Sequence, residues 1–87
     1  MEIFKTITIT ADRLKGGIPA FILFAESGLT PSRSAARRLI EQRGAHINSR
    51  RVKTFDEPVT EADANSGRIY LRAGKNRIRK VIVKEAL

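Results

Sequence analysis

The strongest local constraint in the chain is the stretch from Thr30 to Gly44, which reads as one amphipathic helix with punctuation at both ends. Thr30 can accept hydrogen bonds from the first free amides, Pro31 loses nothing at a first helical position, and Gly44 can close the far end. The expectation is a helix from Pro31 to Arg43. At 100° per residue, Ala35, Ala36, Leu39 and Ile40 gather on one arc, while Arg33, Arg37, Arg38 and Glu41 occupy the other. Such a helix must bury its apolar arc against something else. With 87 residues there is material for one modest hydrophobic interior, so residues 1–87 are expected to form a single domain whose elements share that core.

The flanking segments suggest what covers the arc. Ile3 to Thr10 places Ile3, Ile7 and Ile9 on one side at period two, with Lys5 interrupting that side, and reads as a half-buried strand. Lys15-Gly16-Gly17 is a joint. Pro19 then suits the first turn of a largely buried helix carrying Phe21, Ile22, Leu23, Phe24 and Ala25 and ending at Gly28. Beyond Gly44, residues 45–48 and 51–53 are short extended segments joined by a tight turn at Ser49-Arg50. Residues 56–67, with Pro58 and several small or acidic side chains, read as a surface connection with at most one turn of helix near Glu61 to Ala64. Residues 68–71 and 80–83 form two further strands joined through Ala73-Gly74-Lys75-Asn76. The fold class expected is α+β: two packed helices against a small, mostly antiparallel sheet.

Composition narrows the function. No cysteine is present and there is one histidine, so a thiolate metal site is excluded and a histidine-based one lacks ligands; no metal or cofactor is expected. No apolar run approaches the roughly 20 residues of a membrane span, and the start of the chain lacks the pattern of a secretory signal, which points to a soluble, cytoplasmic protein. The net charge is +8, and a polyanion gains binding free energy from such a surface by releasing its counterions. The charge is also segregated. Arg33, Arg37, Arg38, Arg43, Arg50, Arg51 and Lys53 stand against Glu41 alone; Asp56, Glu57, Glu61 and Asp63 follow without a base; then Arg68 to Lys84 is basic throughout. Two basic blocks on one small body suggest a single continuous surface.

Arginine dominates the polar helix face where a merely solvated face commonly mixes glutamate and lysine, and its planar fork suits phosphate oxygens and base edges. Candidate RNA-binding residues are therefore Arg33, Arg37, Arg38 and Arg43 on the helix, Asn48, Arg50 and Lys53 on the following hairpin, and Lys75 and Arg77 at the tip of the last one. A tight turn and an edge strand also favour polar and charged residues for structural reasons alone, so the hairpin candidates depend on the helix beside them. Tyr70 alternates away from Ile69 and Leu71 and could stack on an unpaired base. His46 has no nearby serine or second histidine, and is expected to face solvent or RNA rather than to perform acid–base chemistry. Glu57, Glu61 and Asp63 read as solvated. No catalytic constellation is visible.

The string from Gly28 to Ile40 (Gly-Leu-Thr-Pro-Ser-Arg-Ser-Ala-Ala-Arg-Arg-Leu-Ile), followed by Gly44-Ala45-His46-Ile47-Asn48 and Arg51-Val52, resembles the RNA-binding domain named for ribosomal protein S-four. The resemblance spans about residues 18–53 and implies an αL-type RNA-binding motif. The continuation through residues 69–77 and 81–83, within an expected strand pair at about 68–84, is similar to the end of the carboxy-terminal domain of bacterial-type tyrosyl-tRNA synthetases. This second resemblance implies a tRNA-binding module that grips tyrosine tRNA, tRNA(Tyr), through Arg33, Arg37, Arg38, Asn48 and Arg50. It would be a non-catalytic part of a ligase whose ATP-using catalytic domain is a separate partner and whose parent protein is a homodimer, the module alone being monomeric. Three other readings stay open: an accessory domain of a ribosomal-RNA-modifying or ribosome-associated protein, a helix-turn-helix-like DNA binder, and a protein-interaction domain with incidental basicity.

Overall fold

The computed structural model describes residues 5–75 and 77–85. Ile3 and Asn76, and the side chain of Lys5, lie outside the described residues. In chain order the elements are β1 (Lys5–Thr10), α1 (Ala11–Lys15), β2 (Ile18–Pro19), α2 (Ala20–Glu26), α3 (Arg33–Glu41), β3 (Ala45–Ile47), β4 (Arg50–Arg51) and β5 (Pro58–Val59). A 3-10 turn at Glu61–Asp63 and the long strands β6 (Arg68–Ala73) and β7 (Arg77–Lys84) complete the chain. The main sheet runs β1-β7-β6-β3-β4, and β2 pairs with β5 in a separate two-stranded ribbon. Among the described residues, the β1–β7 pair of the main sheet is parallel and the β7–β6, β6–β3 and β3–β4 pairs are antiparallel. The α+β class and the mostly antiparallel sheet are as expected, with a short third helix added.

One face of the main sheet meets the helices. Ile69, Leu71 and Ala73 of β6, Val81 of β7, Ala45 and Ile47 of β3 and Ile9 of β1 point inward, into a core with Leu23 and Phe24 of α2 and Ala36 and Ile40 of α3. Phe24 is fully buried, and truncating a phenylalanine at such a site costs about 3–5 kcal/mol. The other face carries Thr6, Thr8 and Thr10 on β1, Lys80 and Ile82 on β7, Arg68, Tyr70 and Arg72 on β6, and His46 on β3, as the register requires. These outward side chains are exposed or half-buried.

Several local expectations are corrected. The helix over 31–43 is shorter, Arg33–Glu41, and its N-cap is Ser32, whose Oγ accepts from the Ala35 amide at 3.0 Å. Thr30 is instead buried and its hydroxyl donates to the Ser32 carbonyl at 3.1 Å, which bends the chain into the cap. At the far end, Arg43 rather than Gly44 takes the left-handed conformation, with φ 67°. Gly44 packs closely under Leu39: a Cβ there would lie 2.7 Å from Leu39 Cδ1, which would have to move aside. Pro19 precedes α2 as its N-cap and pairs in β2 instead of sitting in the first helical turn. The turn between β3 and β4 is Asn48-Ser49, one residue earlier than expected.

The helix α1 lacks the length for periodicity to show; its formation goes with the burial of Leu14 in the core. The ribbon partner β5 was likewise hidden, because two residues containing a proline carry no strand pattern. Helix α2 shows only part of the burial expected: Ala20, Leu23 and Phe24 are inside, while Phe21 and Ile22 are half-exposed.

The capping geometry makes a direct prediction. Ser32→Ala is expected to lower stability by about 1 kcal/mol, read as a shift of the denaturation midpoint without a change of slope, because the Ala35 amide then loses its side-chain acceptor. An unchanged midpoint would show that Ser32 does not cap α3.

Candidate nucleic-acid interface

Helix α3 rests its Ala36–Ile40 stripe on the core and turns its arginines outward. Arg33, Arg37 and Arg38 are exposed and, among the described residues, none of them is ion-paired. Two sides of the helix differ. On one, the Arg37 guanidinium sits 4.0 Å above the Phe55 ring and 5.9 Å from that of Phe21, and the two rings meet edge-on at 5.3 Å. At an exposed site such stacking contributes about 0.5–1 kcal/mol, enough to orient the guanidinium while leaving its N–H edge available. Lys53 stands exposed near Phe55 in sequence, its amide donating to Glu57 Oε1 at 3.1 Å.

On the other side, α3 faces the β6–β7 hairpin across an open groove of about 330 Å³ lined by Thr30, Pro31, Arg38, Leu39, Gln42 and Arg77, among others. Arg77 reaches across and donates to the Leu29 carbonyl, so the hairpin is tied to the α2–α3 turn. Arg79, two residues on and thus on the same inward side, is buried and donates to the Gly28 carbonyl at 3.4 Å and to that of Ile78 at 3.2 Å. A strand alternates its side chains, so the basic block of β7 cannot act as one surface. Arg77 and Arg79 go to the helix turn, and Lys80 and Lys84 go to the opposite face. The single continuous basic surface expected from the two blocks is therefore corrected to two surfaces on opposite sides of the sheet.

The first hairpin also differs from expectation in its chemistry. Asn48, at φ 56°, accepts the Tyr70 amide on Oδ1 at 3.0 Å and donates from Nδ2 to the Asp63 carbonyl at 2.7 Å. Arg50 is held between Glu57, at 3.1 Å, and Asp63, at 3.0 Å. The side chains of Glu57 and Asp63 are only 18% and 15% exposed, so the reading of these acids as simply solvated is corrected. Asp63 also completes a capping box with Thr60, accepting the Thr60 amide at 3.0 Å. These contacts join the hairpin, the 3-10 turn and β6 into one unit, and they explain why acids cluster in an otherwise basic chain.

Of the sequence-derived candidates, Arg33, Arg37, Arg38, Arg43, Arg50, Lys53, Lys75 and Arg77 are exposed. Asn48 is half-buried and hydrogen-bonded within the fold, Arg50 is ion-paired to Glu57 and Asp63 at the surface, and Arg77 divides its role by lining the α3 groove while binding Leu29. Sequence reasoning missed Thr30 and Gln42 as groove residues, since neither belongs to the arginine pattern. His46 is half-buried between Arg51 and Arg72 in register, so the expected solvent-facing position is corrected in part. Burial chiefly, with Arg72 and Arg51 adding to it, holds its imidazole below the ordinary histidine value. Among the described residues, no group of three or more potential metal ligands occurs and no helix is long and apolar enough to cross a membrane.

Residues 20–64 match the S4 domain family, which places α2, α3, the first hairpin and the 3-10 turn inside the matched region. The chain is 41% identical over 80 residues to the tyrosine–tRNA ligase of Desulfatibacillum aliphaticivorans, covering 92% of this chain and 19% of that protein. It is 42% identical over 77 residues to the tyrosine–tRNA ligase of Desulfosudis oleivorans, with 88% and 18% covered. Against that of Thermobifida fusca the identity is 45% over 67 residues, with 76% and 16% covered. The chain thus spans under a fifth of the length of these relatives.

Two measurements follow from this geometry. Asn48→Ala removes two partly buried hydrogen bonds and puts alanine at a positive φ, so a stability loss of about 2 kcal/mol or more is expected in chemical denaturation. A loss below about 0.5 kcal/mol would show that these bonds do not hold the hairpin. For His46, folding disfavours the charged imidazole. The unfolded chain therefore binds more protons below about pH 6.5, and stability should fall as pH drops from there towards the lower folded value. His46→Gln should flatten this step between about pH 7 and 5, and an identical pH profile in the variant would refute the assignment.

Proposed function

The chain belongs to the S4 domain family, and from that premise we propose that it binds structured RNA through α3 and its surroundings, as the carboxy-terminal module of a tyrosine–tRNA ligase acting on tRNA(Tyr). The observation that carries this reading is the exposed trio Arg33, Arg37 and Arg38, which lack carboxylate partners among the described residues and stand on a helix fixed by its own core stripe. Unpaired guanidinium groups on a rigid element suit phosphate oxygens, and the order already present in the protein lowers the entropy lost on binding.

In this reading Arg33, Arg37, Arg38, Arg43 and Lys53 meet the RNA backbone, and Lys75 and Arg77 extend the contact from the hairpin side of the groove. Asn48 and Arg50 act by shaping the hairpin that flanks the helix. RNA backbone contacts at a stem or loop junction are read by shape, which suits this arrangement of a helix between two hairpins. The relatives' name supports tyrosine tRNA as the ligand. Amino-acid activation then belongs, in this reading, to a catalytic partner domain of a cytoplasmic, homodimeric parent.

If about five phosphates are neutralised, the affinity for tyrosine tRNA should fall with a log–log salt slope of roughly −3 to −5. Arg37→Gln combined with Arg38→Gln should flatten that slope by about 2 while the circular dichroism spectrum is retained. A nearly flat salt response in the parent chain would overturn the mechanism. Tighter binding of ribosomal RNA fragments than of tyrosine tRNA would reassign the ligand.

A further inference from the structure

The groove between α3 and the β6–β7 hairpin has walls that contact with a phosphate backbone alone does not require. We infer that it receives one unpaired nucleotide turned out of the bound RNA, with the base inside and its flanking phosphates on the rims. This inference rests on the RNA-binding reading of α3 and adds to it a site for a base.

The helix brings Ala35, Arg38, Leu39 and Gln42 to the groove at i, i+3, i+4 and i+7, a stripe beside the core pair Ala36 and Ile40. The hairpin supplies Ala73 and Arg77, which are cross-strand partners in the β6–β7 register. Small side chains on both walls, Ala35 and Ala73, leave a space of about 330 Å³ that longer residues would fill. Leu39 is half-buried and Ala73 is buried, so the interior is apolar, while Arg38 and Arg77 are exposed on opposite walls. The Leu29 carbonyl occupies only part of the Arg77 donor set and holds that guanidinium in place. Among the described residues, no carboxylate lines the groove.

These features select the ligand. Cations on two rims of an apolar interior suit a group that is flat and uncharged in the middle and anionic at either end, which describes a nucleotide within a strand. The volume lies near the lower end of the ordinary range for small-ligand sites, so it admits one such unit and no helix. A paired base keeps its faces stacked and its edge bonded to its partner, so the base that enters must be unpaired. Two polar groups then serve its edge. Gln42, exposed one turn beyond Arg38, offers an amide with both donors and an acceptor. Thr30 is buried and donates its hydroxyl proton to the Ser32 carbonyl, so its oxygen is left with acceptor capacity. The exposed Arg33 and Arg37 on the same helix engage further phosphates, so the nucleotide arrives as part of RNA and not as a free monophosphate.

The test uses the 87-residue chain and an RNA stem carrying one bulged 2-aminopurine nucleotide, against the same stem fully paired. The bulged stem should bind about tenfold more tightly, and the fluorescence of the bulged base should rise as it leaves the stack. Ala35→Leu fills the groove with a good helix former and should reduce the affinity for the bulged stem to that of the paired one. Gln42→Ala, at an exposed position, should weaken binding of the bulged stem by about three- to tenfold and leave the paired stem unchanged; it serves if the first variant does not fold. Equal affinity for the two stems, with the steep salt dependence of the α3 contact retained, would overturn this inference and leave the α3 reading intact. An unaltered preference for the bulge in both groove variants, or displacement of the bulged stem by an equal concentration of free adenosine monophosphate, would overturn it as well. A flat salt response with both stems would overturn the α3 reading and this inference with it.

Discussion

A sheet covered on one side sets the terms for the whole molecule. The longer strands of the main sheet place alternate residues towards the core and the rest towards water, so adjacent residues on one strand serve different purposes. On β6, Ile69 and Leu71 are fully buried while Tyr70 and Arg72 look outward. On β7 the inward positions beyond the aliphatic core are filled by arginines, and Arg79 is buried with its guanidinium turned to the backbone of the α2–α3 turn. The same charge that a composition count assigns to a binding surface is used here to join sheet to helices. That use fixes where α3 begins, and so where its exposed arginines stand.

The first hairpin depends on a related economy of polar groups. Asn48 substitutes its side chain for missing ladder contacts, and its backbone amide also donates to the Tyr70 carbonyl at 2.6 Å. Asp63 meets three demands, accepting from Arg50 and the Thr60 amide with its carboxylate and from Asn48 with its carbonyl. The acidic connector thereby acts as an internal counter-charge in a chain of net charge +8, and it restrains the hairpin beside the arginine helix. Arg50 is consequently neutralised locally, whereas Arg33, Arg37 and Arg38 have no carboxylate partner among the described residues.

The legibility of the fold varied with segment length and with the distance over which partners act. Helix α3 was visible because nine residues suffice for an apolar stripe, yet its ends shifted by two residues when Ser32 and Gln42 took the capping positions. Threonine and serine are both good caps, and their order depends on the burial of Thr30, which only packing reveals. The strands β6 and β7 extend beyond their expected ends because mutual pairing continues the ladder through Arg72, Ala73 and Ile78, where hydrophobic alternation is interrupted. The candidate site was legible in residue type and in the exposure of Arg33, Arg37 and Arg38. The internal roles of Asn48 and Arg50 were not, since their partners are 7 to 22 residues away in the chain.

By itself the sequence determined that two helices and several short strands share one small core, that arginine crowds the polar face of the second helix, and that its pattern resembles an RNA-binding family. Helical and strand periods and local capping are short-range properties, so they survive in the order of residues. Tertiary structure alone decided which cations are free and which are structural. That decision rests on strand register and long-range hydrogen bonds, which turned Arg77 and Arg79 towards the helix turn, closed Arg50 between two carboxylates, and separated the remaining basic residues onto two faces.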